Sequence, residues 1–429
     1  MDNFEITGTE MHDFAKKIWS YNRSLTGVGQ RQTLSKIKEQ IPQTKIKKYR
    51  SGKRVFDWKI PDEWHVNYAY ITDPNGEKIC DYSENNLHLI GYSEAIEQDL
   101  PLDELQPFLH SIPGQPDAIP YITSYYEKRW GFCITENQRS SLKKGIYKVS
   151  ISTTKKPGTL DIGEIYIPGR KREEVLISTY ICHPSMANDI ISGITVSLFL
   201  AKLILGKLNR EYSYRFVFLP ETIGSIAYLN ENYKRMKKNI IAGFNLSCIG
   251  DDRNYSYLPS RQNDTLSDKA ALHVLNQHFQ GYKSYSWLDR GSDERQYCAP
   301  GIDLPIASLM RTKYGQYPEY HTSLDNLENV VTPSGLAGGL NLAWKVIQAI
   351  ELNVKTKVQI LGEPMMSKYD LYPTLGTKYP DLESRLLMNI ITYSDGERSL
   401  IDIANLLNEP IEKLYDKAVI LKNLKIIDF

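Results

Sequence analysis

The stretch 182-CHPSMANDIISG-193 is a short polar turn between two apolar segments, and it decides the fold. The segment before it, Glu174 to Cys182, is a nearly unbroken run of β-branched and apolar residues, which predicts a buried strand. The segment after it, Ile194 to Leu205, has the length and the Leu content of a buried helix, with Asn188 and Asp189 as its N-cap residues. A strand, a polar turn and a buried helix in this order are typical of an α/β sheet, in which ligands bind beyond the carboxyl ends of the strands.

Two side chains of this turn are candidate metal ligands. His183 leaves the end of the predicted strand and Asp189 begins the predicted helix, and an imidazole and a carboxylate that face each other across a turn can bind one zinc ion. The same residues are also common as plain hydrogen-bonding and capping groups. Metal binding is favoured by polar residues at two later strand ends, where Glu221 follows one strand and His321 follows another.

Composition excludes several classes of protein. The chain has 429 residues and 41% hydrophobic content, enough for two or three domains with sizeable cores. Its net charge of +1 creates no global field for nucleic acid or an acidic membrane. Five widely spaced cysteines without a Cys-x-x-Cys pair argue against structural disulfides and cysteine zinc sites, and Cys182 and Cys248, in apolar strands, are expected to be buried thiols. The N-terminus lacks a signal pattern and no run of about 18 apolar residues occurs, so we expect a cytoplasmic protein. The 29 tyrosines suggest that aromatic hydroxyls line a polar cleft.

The order of elements predicts three domains. Strands that alternate with helices and end in acids or His predict an α/β fold, a mostly parallel mixed sheet sandwiched by helices, formed by residues 1–60 and 154–355. Between residues 61 and 153, short apolar runs separated by turn signals predict a small β domain inserted at a surface loop. Residues 356–429 form a third domain.

The third domain matches a winged-helix pattern. Residues 373–380 read as a linker, and three short helices over 382–393, 400–407 and 411–421 precede a final apolar strand. Acids outnumber Lys and Arg between Asp381 and Asp428, which disfavours nucleic acid as a partner. Protein contacts or dimerisation are the better expectation, and a homo-oligomer is possible.

Three segments together carry a family resemblance: CHPSMANDIISG at 182–193, PETIGS at 220–225 and EYHTSLDN at 319–326. They resemble the zinc aminopeptidase superfamily, which also contains glutamate carboxypeptidases and glutaminyl cyclases. The chain is most similar to bacterial aminopeptidase-like domain proteins that carry a β insertion and a C-terminal winged helix. The resemblance implies that His183, Asp189 and His321 bind zinc. It also implies that Glu221 is the general base towards a metal-bound water, as amide hydrolysis requires.

The chain departs from the superfamily pattern at two zinc-ligand positions, where Thr222 and Ser247 replace carboxylates. We therefore expect one zinc ion, or a weakly binuclear site. The carboxylates that could add a ligand or support one are Asp251, Asp252, Asp293, Glu319 and Asp325, the last of which is expected to orient His321 or to cap a helix. The candidate substrate-binding residues are Arg295 and Arg311, which could grip a carboxylate or phosphate, and Tyr320, which could stabilise an oxyanion.

The resemblance implies a zinc hydrolase of an amide bond, in the form of an exopeptidase that acts on a small peptide or an aminoacylated small molecule. Two alternatives stay open. One is a deacylase of an amino sugar or another metabolite, because the fold does not fix the substrate. The other is a metal-free binding or scaffold protein, which the carboxylates lost at Thr222 and Ser247 leave possible.

Overall fold

The computed structural model describes residues 7–207, 209–371 and 382–429. The chain divides into two compact units. The larger comprises Met1–Gln262 and Lys283–Leu340, and the smaller comprises Asn263–Tyr282 and Asn341–Phe429.

The larger unit contains an eight-stranded mixed sheet flanked by helices, which confirms the predicted fold class. Its four central strands are parallel and almost wholly buried, because helices cover both faces of such a sheet. The outer strands join them in antiparallel pairs, apart from the short last strand. In spatial order the strands are Lys45–Arg50, Thr159–Ile167, Ser213–Leu219, Glu174–Tyr180, Ile240–Leu246, Ile306–Met310, Ser256–Leu258 and Lys283–Ser284.

The helices of this unit follow the strands as the apolar patterns predict. Their bounds are Gly8–Trp19, Val28–Gln40, Ser192–Gly206, Ile223–Asn239 and Glu294–Tyr297, and Pro333–Leu352 begins in this unit. Among the residues described, one segment, Ala187–Gly206, is long and apolar enough to cross a membrane. Of its apolar 18-residue stretch, however, 78% is buried inside the protein, as in a core helix. All five cysteines are buried and free, and burial was expected for Cys182 and Cys248.

The predicted N-cap at Asn188 and Asp189 is wrong. A π-helical turn, Ala187–Ile191, precedes the α-helix, and no side chain of its own segment caps it. The backbone N–H groups of Asn188 and Asp189 instead donate to the carboxylate of Asp325, at 2.7 and 3.1 Å. Because a distant residue supplies the capping oxygens, the Asp189 side chain is free to face the end of the sheet.

The segment that was predicted as a β insertion contains a four-stranded antiparallel sheet. Its strands, in spatial order, are Lys78–Ile79, Glu63–Thr72, Ile146–Lys156 and Ile96–Pro101. Shorter pairs accompany it, namely Leu109–His110 with Phe132–Cys133 and, just before it, Arg54–Val55 with Trp58–Lys59. A continuous strand over residues 54–60 was expected, but Phe56 has a φ of +48° and reverses the chain there.

The smaller unit has the predicted winged-helix architecture. Its helices are Leu266–His278, Leu382–Tyr393, Leu400–Leu407 and Ile411–Asn423, and its antiparallel sheet joins Asp395–Ser399, Lys355–Val358 and Ile427–Asp428. Helix Leu266–His278 was expected in the α/β domain but packs within this unit, where His273 hydrogen-bonds Asn405 at 2.7 Å. The predicted linker 373–380 lies outside the described residues.

Gly193 tests how tightly the turn packs on the sheet. A Cβ atom there would lie 2.5 Å from both the Leu246 carbonyl oxygen and Thr179 Oγ1. We expect Gly193→Ala to lower the free energy of unfolding by about 1–3 kcal/mol. The exposed Gly114, which has open space around it, supplies the control, and Gly114→Ala should stay within about 0.5 kcal/mol. Urea denaturation followed by fluorescence measures both, and equal stabilities for the two variants would contradict the packing argument.

Candidate metal centre

Three predicted ligands lie together beyond the carboxyl ends of the central strands. The nearest ligand atoms of His183, Asp189 and His321 are all within 4.8 Å of one another. His183 follows the strand Glu174–Tyr180 by three residues, and Asp189 lies in the π-helical turn. The sheet edge and the following turn therefore bring together residues that are 138 positions apart in the chain (321 − 183).

Two atoms of this cluster lack hydrogen-bond partners. His321 Nε2 and Asp189 Oδ2 are buried and lie 3.2 Å apart, yet neither makes a hydrogen bond of acceptable geometry. Two ligands of a tetrahedral zinc ion, each about 2.0–2.1 Å from the metal, lie about 3.3 Å apart. The spacing and the unsatisfied atoms therefore fit a zinc ion held by His183, Asp189 and His321.

The protonation states of the cluster also suit a metal. Burial lowers the pKa of His183 to about 4, so its imidazole is neutral at pH 7. Burial alone would raise the pKa of Asp189, but the neighbouring imidazoles of His321 and His183 and the hydrogen bond from Tyr180 lower it to about 2. A neutral imidazole and an ionised carboxylate are the forms that bind metal ions.

A buried arginine holds the backbone beneath His183. Arg23 Nε donates to the His183 carbonyl oxygen at 2.9 Å, and its other nitrogens donate to the carbonyls of Ile18 and Trp19. Burial lowers the pKa of Arg23 to about 9. Sequence reasoning missed this residue, because nothing in its local pattern shows that it contacts a turn 160 residues away.

His321 stands in a constrained loop. Its φ is +56°, its ring stacks on Tyr320 with centroids 3.9 Å apart, and its carbonyl accepts the N–H of Tyr121 at 2.9 Å. Tyr121 comes from the segment that was predicted as a β insertion. That segment therefore contributes directly to the position of a candidate ligand.

Glu221 lies beside the cluster at the end of the next strand. Its Oε2 is 3.8 Å from His183 Nε2. Burial and the charges of Asp293 and Asp189 raise the pKa of Glu221 well above its usual range. About a fifth of its side chain, 21%, remains exposed to the cavity. A carboxylate with a raised pKa next to a metal site is suited to take up and return a proton.

Asp293 fixes the turn that carries Glu221. Its Oδ1 accepts hydrogen bonds from Thr222 N at 2.8 Å and Ser225 Oγ at 2.7 Å. Thr222 has a φ of +64°, which is unfavourable for a β-branched residue and needs such support. Burial, together with the charge of Glu294, raises the pKa of Asp293 to about 7.

A cavity of about 440 Å³ opens onto His183, His321 and Glu221. Its other lining residues are Leu25, Trp58, Tyr121, Thr123, Tyr125, Tyr126, Cys182, Thr222, Ile223 and Arg295. Three tyrosines, Tyr121, Tyr125 and Tyr126, thus line the cleft. The individual residues were missed, although the segment 121-YITSYY-126 is a dense tyrosine cluster that could have drawn attention.

Several candidate residues lie outside the ligand cluster. Asp251 accepts bonds from Asn188 and Thr312, and Glu319 forms an ion pair with Arg253 at 2.8 Å. Asp252 accepts bonds from Thr332 and Ser334, while Ser247 is buried without a partner for its hydroxyl.

Two expected roles differ in the structure. Arg311 is buried and donates to the carbonyls of Asn254 and Gly335, and it does not line the cavity. Asp325 contacts the backbone of the Asp189 turn and the Tyr317 hydroxyl, and not the His321 imidazole. Arg295 lines the cavity, and Tyr320 supports the His321 ring.

Two family models and a relative of similar length match this chain. A family model described as a domain of unknown function, DUF4910, matches residues 12–353, and a winged helix-turn-helix model matches residues 353–428. A Clostridium acetobutylicum protein, provisionally named as a polysaccharide biosynthesis protein with an aminopeptidase-like domain, is 41% identical over 411 residues. The match covers 94% of this chain and 92% of that protein.

Solved structures show the same architecture. A crystal structure of a protein from Clostridium acetobutylicum, provisionally called a peptidase, has a TM-score of 0.91 and 38% identity, covering 98% of this chain and 96% of that one. BSAP, a zinc aminopeptidase from Bacillus subtilis, has a TM-score of 0.58 at 14% identity and covers 81% of this chain and 96% of its own. The second likeness shows that the fold is aminopeptidase-like.

Asp325 provides a test of how the cluster is held. In Asp325→Asn an amide N–H would face backbone N–H donors, so we expect the free energy of unfolding to fall by about 1–3 kcal/mol. Zinc affinity should fall about 10–100-fold, because the turn that carries Asp189 loses its support. Glu319→Gln, a change at a surface ion pair two residues from His321, is the control and should keep zinc affinity. Competition with a zinc chelator measures both, and equal affinities would contradict the role of Asp325.

Proposed function

Since this chain belongs to the DUF4910 family, which is described only as a domain of unknown function, we propose from its site that it is a zinc-dependent hydrolase of an amide bond. The single observation that carries the proposal is the unsatisfied cluster of His183, Asp189 and His321 with Glu221 beside it. Three candidate metal ligands beside a carboxylate with a raised pKa, next to a cavity, form an arrangement that is suited to hydrolysis.

The chemistry divides between the metal and the protein. Zinc, when bound, polarises a carbonyl group and lowers the pKa of water. Glu221 takes a proton from the attacking water, whose oxygen bonds to the acyl carbon. As the C–N bond breaks, Glu221 returns that proton to the leaving nitrogen, so one carboxylate serves as base and then as acid. Tyr121 and Tyr125, whose hydroxyls hydrogen-bond each other at 3.0 Å, line the cavity beside Glu221.

We propose that the site holds one zinc ion. Thr222 and Ser247 supply no carboxylate at the two positions where the superfamily pattern has one. In addition, the Tyr180 hydroxyl donates a hydrogen bond to Asp189 Oδ1. That bond engages Oδ1, whereas Oδ2 has no hydrogen-bond partner, so Oδ2 would be the atom that Asp189 offers to one zinc ion.

The names of similar proteins support a hydrolase but leave its substrate open. BSAP is named a zinc aminopeptidase, and the Clostridium acetobutylicum relative carries a name from polysaccharide biosynthesis. We propose an amide-containing small molecule as the substrate, either a small peptide cleaved by an exopeptidase or an acylated amino sugar or metabolite cleaved by a deacylase. A cytoplasmic location and a role of the winged helix in protein contacts or homo-oligomers stay as proposals.

Metal content is the first test of the proposal. We expect about one zinc ion per chain in protein purified without chelator, and a sharp loss in His183→Ala and His321→Ala. Glu221→Gln should retain zinc but lose about 10²–10⁴-fold in hydrolysis of acylated and peptide amides, because the proton carrier is gone.

The matched control is His110→Ala, which removes an imidazole that lies outside the cluster and the cavity. It should keep both zinc and activity. Elemental mass analysis and an amide-hydrolysis assay provide the readouts. A wild-type protein that takes up no zinc when zinc is supplied would contradict the proposal and would favour a binding or scaffold role.

A further inference from the structure

Arg295 lines the same cavity as the His183, Asp189 and His321 cluster, and most of its N–H donors are unused by the protein, although its positive charge partly offsets the raised pKa of Glu221 and of Asp293. One nitrogen donates to Thr222 Oγ1 at 2.8 Å. Within residues 7–207, 209–371 and 382–429, no carboxylate oxygen lies within 4.0 Å of its nitrogens. A guanidinium carries five N–H donors, so most of them remain available to a ligand.

The other arginines around the site are committed to the protein. Arg23 donates to three backbone carbonyls, Arg253 pairs with Glu319, and Arg311 donates to two further carbonyls and stacks on Tyr255. Arg295, in contrast, is exposed at the cavity wall. Arg295 hydrogen-bonds Thr222, the residue that follows Glu221 in the chain, and this bond holds the guanidinium near the proposed base.

The cavity offers few ionic partners to a substrate with a free amino group. A carboxylate is the usual charged partner of an ammonium group, and the one carboxylate among the described lining residues is Glu221, which the proposed reaction uses as its base. Thr222 stands where the superfamily pattern has an acid, and its hydroxyl accepts a hydrogen bond from Arg295. The wall beside the base therefore carries a positive charge.

An aromatic pair forms another wall of the cavity. Trp58 and Tyr126 are 40% and 57% exposed, and their rings meet edge to face with centroids 6.0 Å apart. Exposed aromatic rings that line a cavity offer binding area to the apolar face of a ring or an acyl chain. Arg295 and this pair together would accommodate a compound with an anionic group and an apolar or ring-shaped body.

We infer that Arg295 and Thr222 form an anion subsite, and that the substrate is an N-acyl compound with a carboxylate or phosphate close to its scissile amide. This inference rests on the proposed function for the position of the scissile bond. Arg is suited to the task because its planar fork binds a carboxylate or phosphate bidentately. The subsite favours a deacylase over an aminopeptidase, because it binds an anionic group of the substrate and provides no partner for a free amine.

Two matched pairs of compounds test the subsite by calorimetry. N-acetyl-L-phenylalanine and its amide differ by one carboxylate, and N-acetylglucosamine 1-phosphate and N-acetylglucosamine differ by one phosphate. Both pairs are titrated into the full-length, zinc-loaded protein carrying Glu221→Gln, which prevents turnover. We expect the anionic member of at least one pair to bind at least about tenfold more tightly, and the pair with the larger ratio identifies carboxylate or phosphate as the ligand.

Substitutions at two arginines separate the subsite from general charge. Arg295→Met in the same background should reduce the ratio to about one. Arg290→Met, which removes an exposed arginine outside the cavity, should leave it unchanged. The subsite is overturned by a ratio near one in the parent protein, by a ratio that survives Arg295→Met, or by tighter binding of L-phenylalaninamide. Failure of all these compounds to bind at millimolar concentration overturns it as well.

Zinc content and turnover are separate readouts, so the two proposals can fail independently. A preference for anions that depends on Arg295, in a protein that takes up no zinc and hydrolyses nothing, keeps the subsite and removes the hydrolase. Zinc-dependent cleavage of peptides with free amines, unaffected by Arg295→Met, keeps the hydrolase and removes the subsite.

Discussion

The candidate centre depends on the hydrogen bonds that the buried carboxylate of Asp325 accepts from the backbone of the Asp189 turn. It accepts the N–H groups of Asn188 and Asp189, and its own carbonyl accepts the N–H of Ala187. Since His321 lies four residues before Asp325, this one residue links the late loop to the turn that carries Asp189. A buried carboxylate is costly unless hydrogen bonds compensate it, and burial raises its pKa to about 7. The same bonds satisfy N–H groups at the helix start, where a negative group is favourable.

Local sequence patterns predicted the parts of the structure that local physics determines. The buried strand before His183 was predictable from its apolar run. The three helices of the winged-helix domain were predictable from their apolar runs and from caps such as Ser399 with Asp402, which are visible in the sequence. The capping of Asn188 and Asp189, the anchoring of His183 by Arg23 and the burial of Arg311 depend on contacts between distant segments. Residue type and spacing carry no record of such contacts, so Arg311 and Arg295 looked equivalent in sequence although only Arg295 reaches the cavity.

Four residues around the same centre adopt strained backbone conformations. Ser185, Thr222, Cys248 and His321 all have positive φ, and none of them is glycine. Each such residue costs on the order of 1–3 kcal/mol and persists only where its surroundings enforce it. Asp293 enforces the Thr222 turn, and the bond from Tyr121 and the stacking on Tyr320 enforce the loop of His321. The rest of the fold therefore maintains a geometry that the turns would not adopt alone, which is typical of sites that position chemical groups.

The lack of acids at Thr222 and Ser247 bears directly on the charge of Arg295. A second divalent ion would add two positive charges to a cavity in which Glu221 is the one carboxylate among the described lining residues, so one carboxylate would have to offset both charges. A glutamate at position 222 would also pair with Arg295 and neutralise it, whereas the Thr222 hydroxyl accepts one N–H and leaves the charge intact. Under our proposals, the hydroxyl of Thr222 has two consequences at once. It supplies no carboxylate to a metal, and it accepts one N–H of Arg295 without neutralising the charge that would bind an anion from outside.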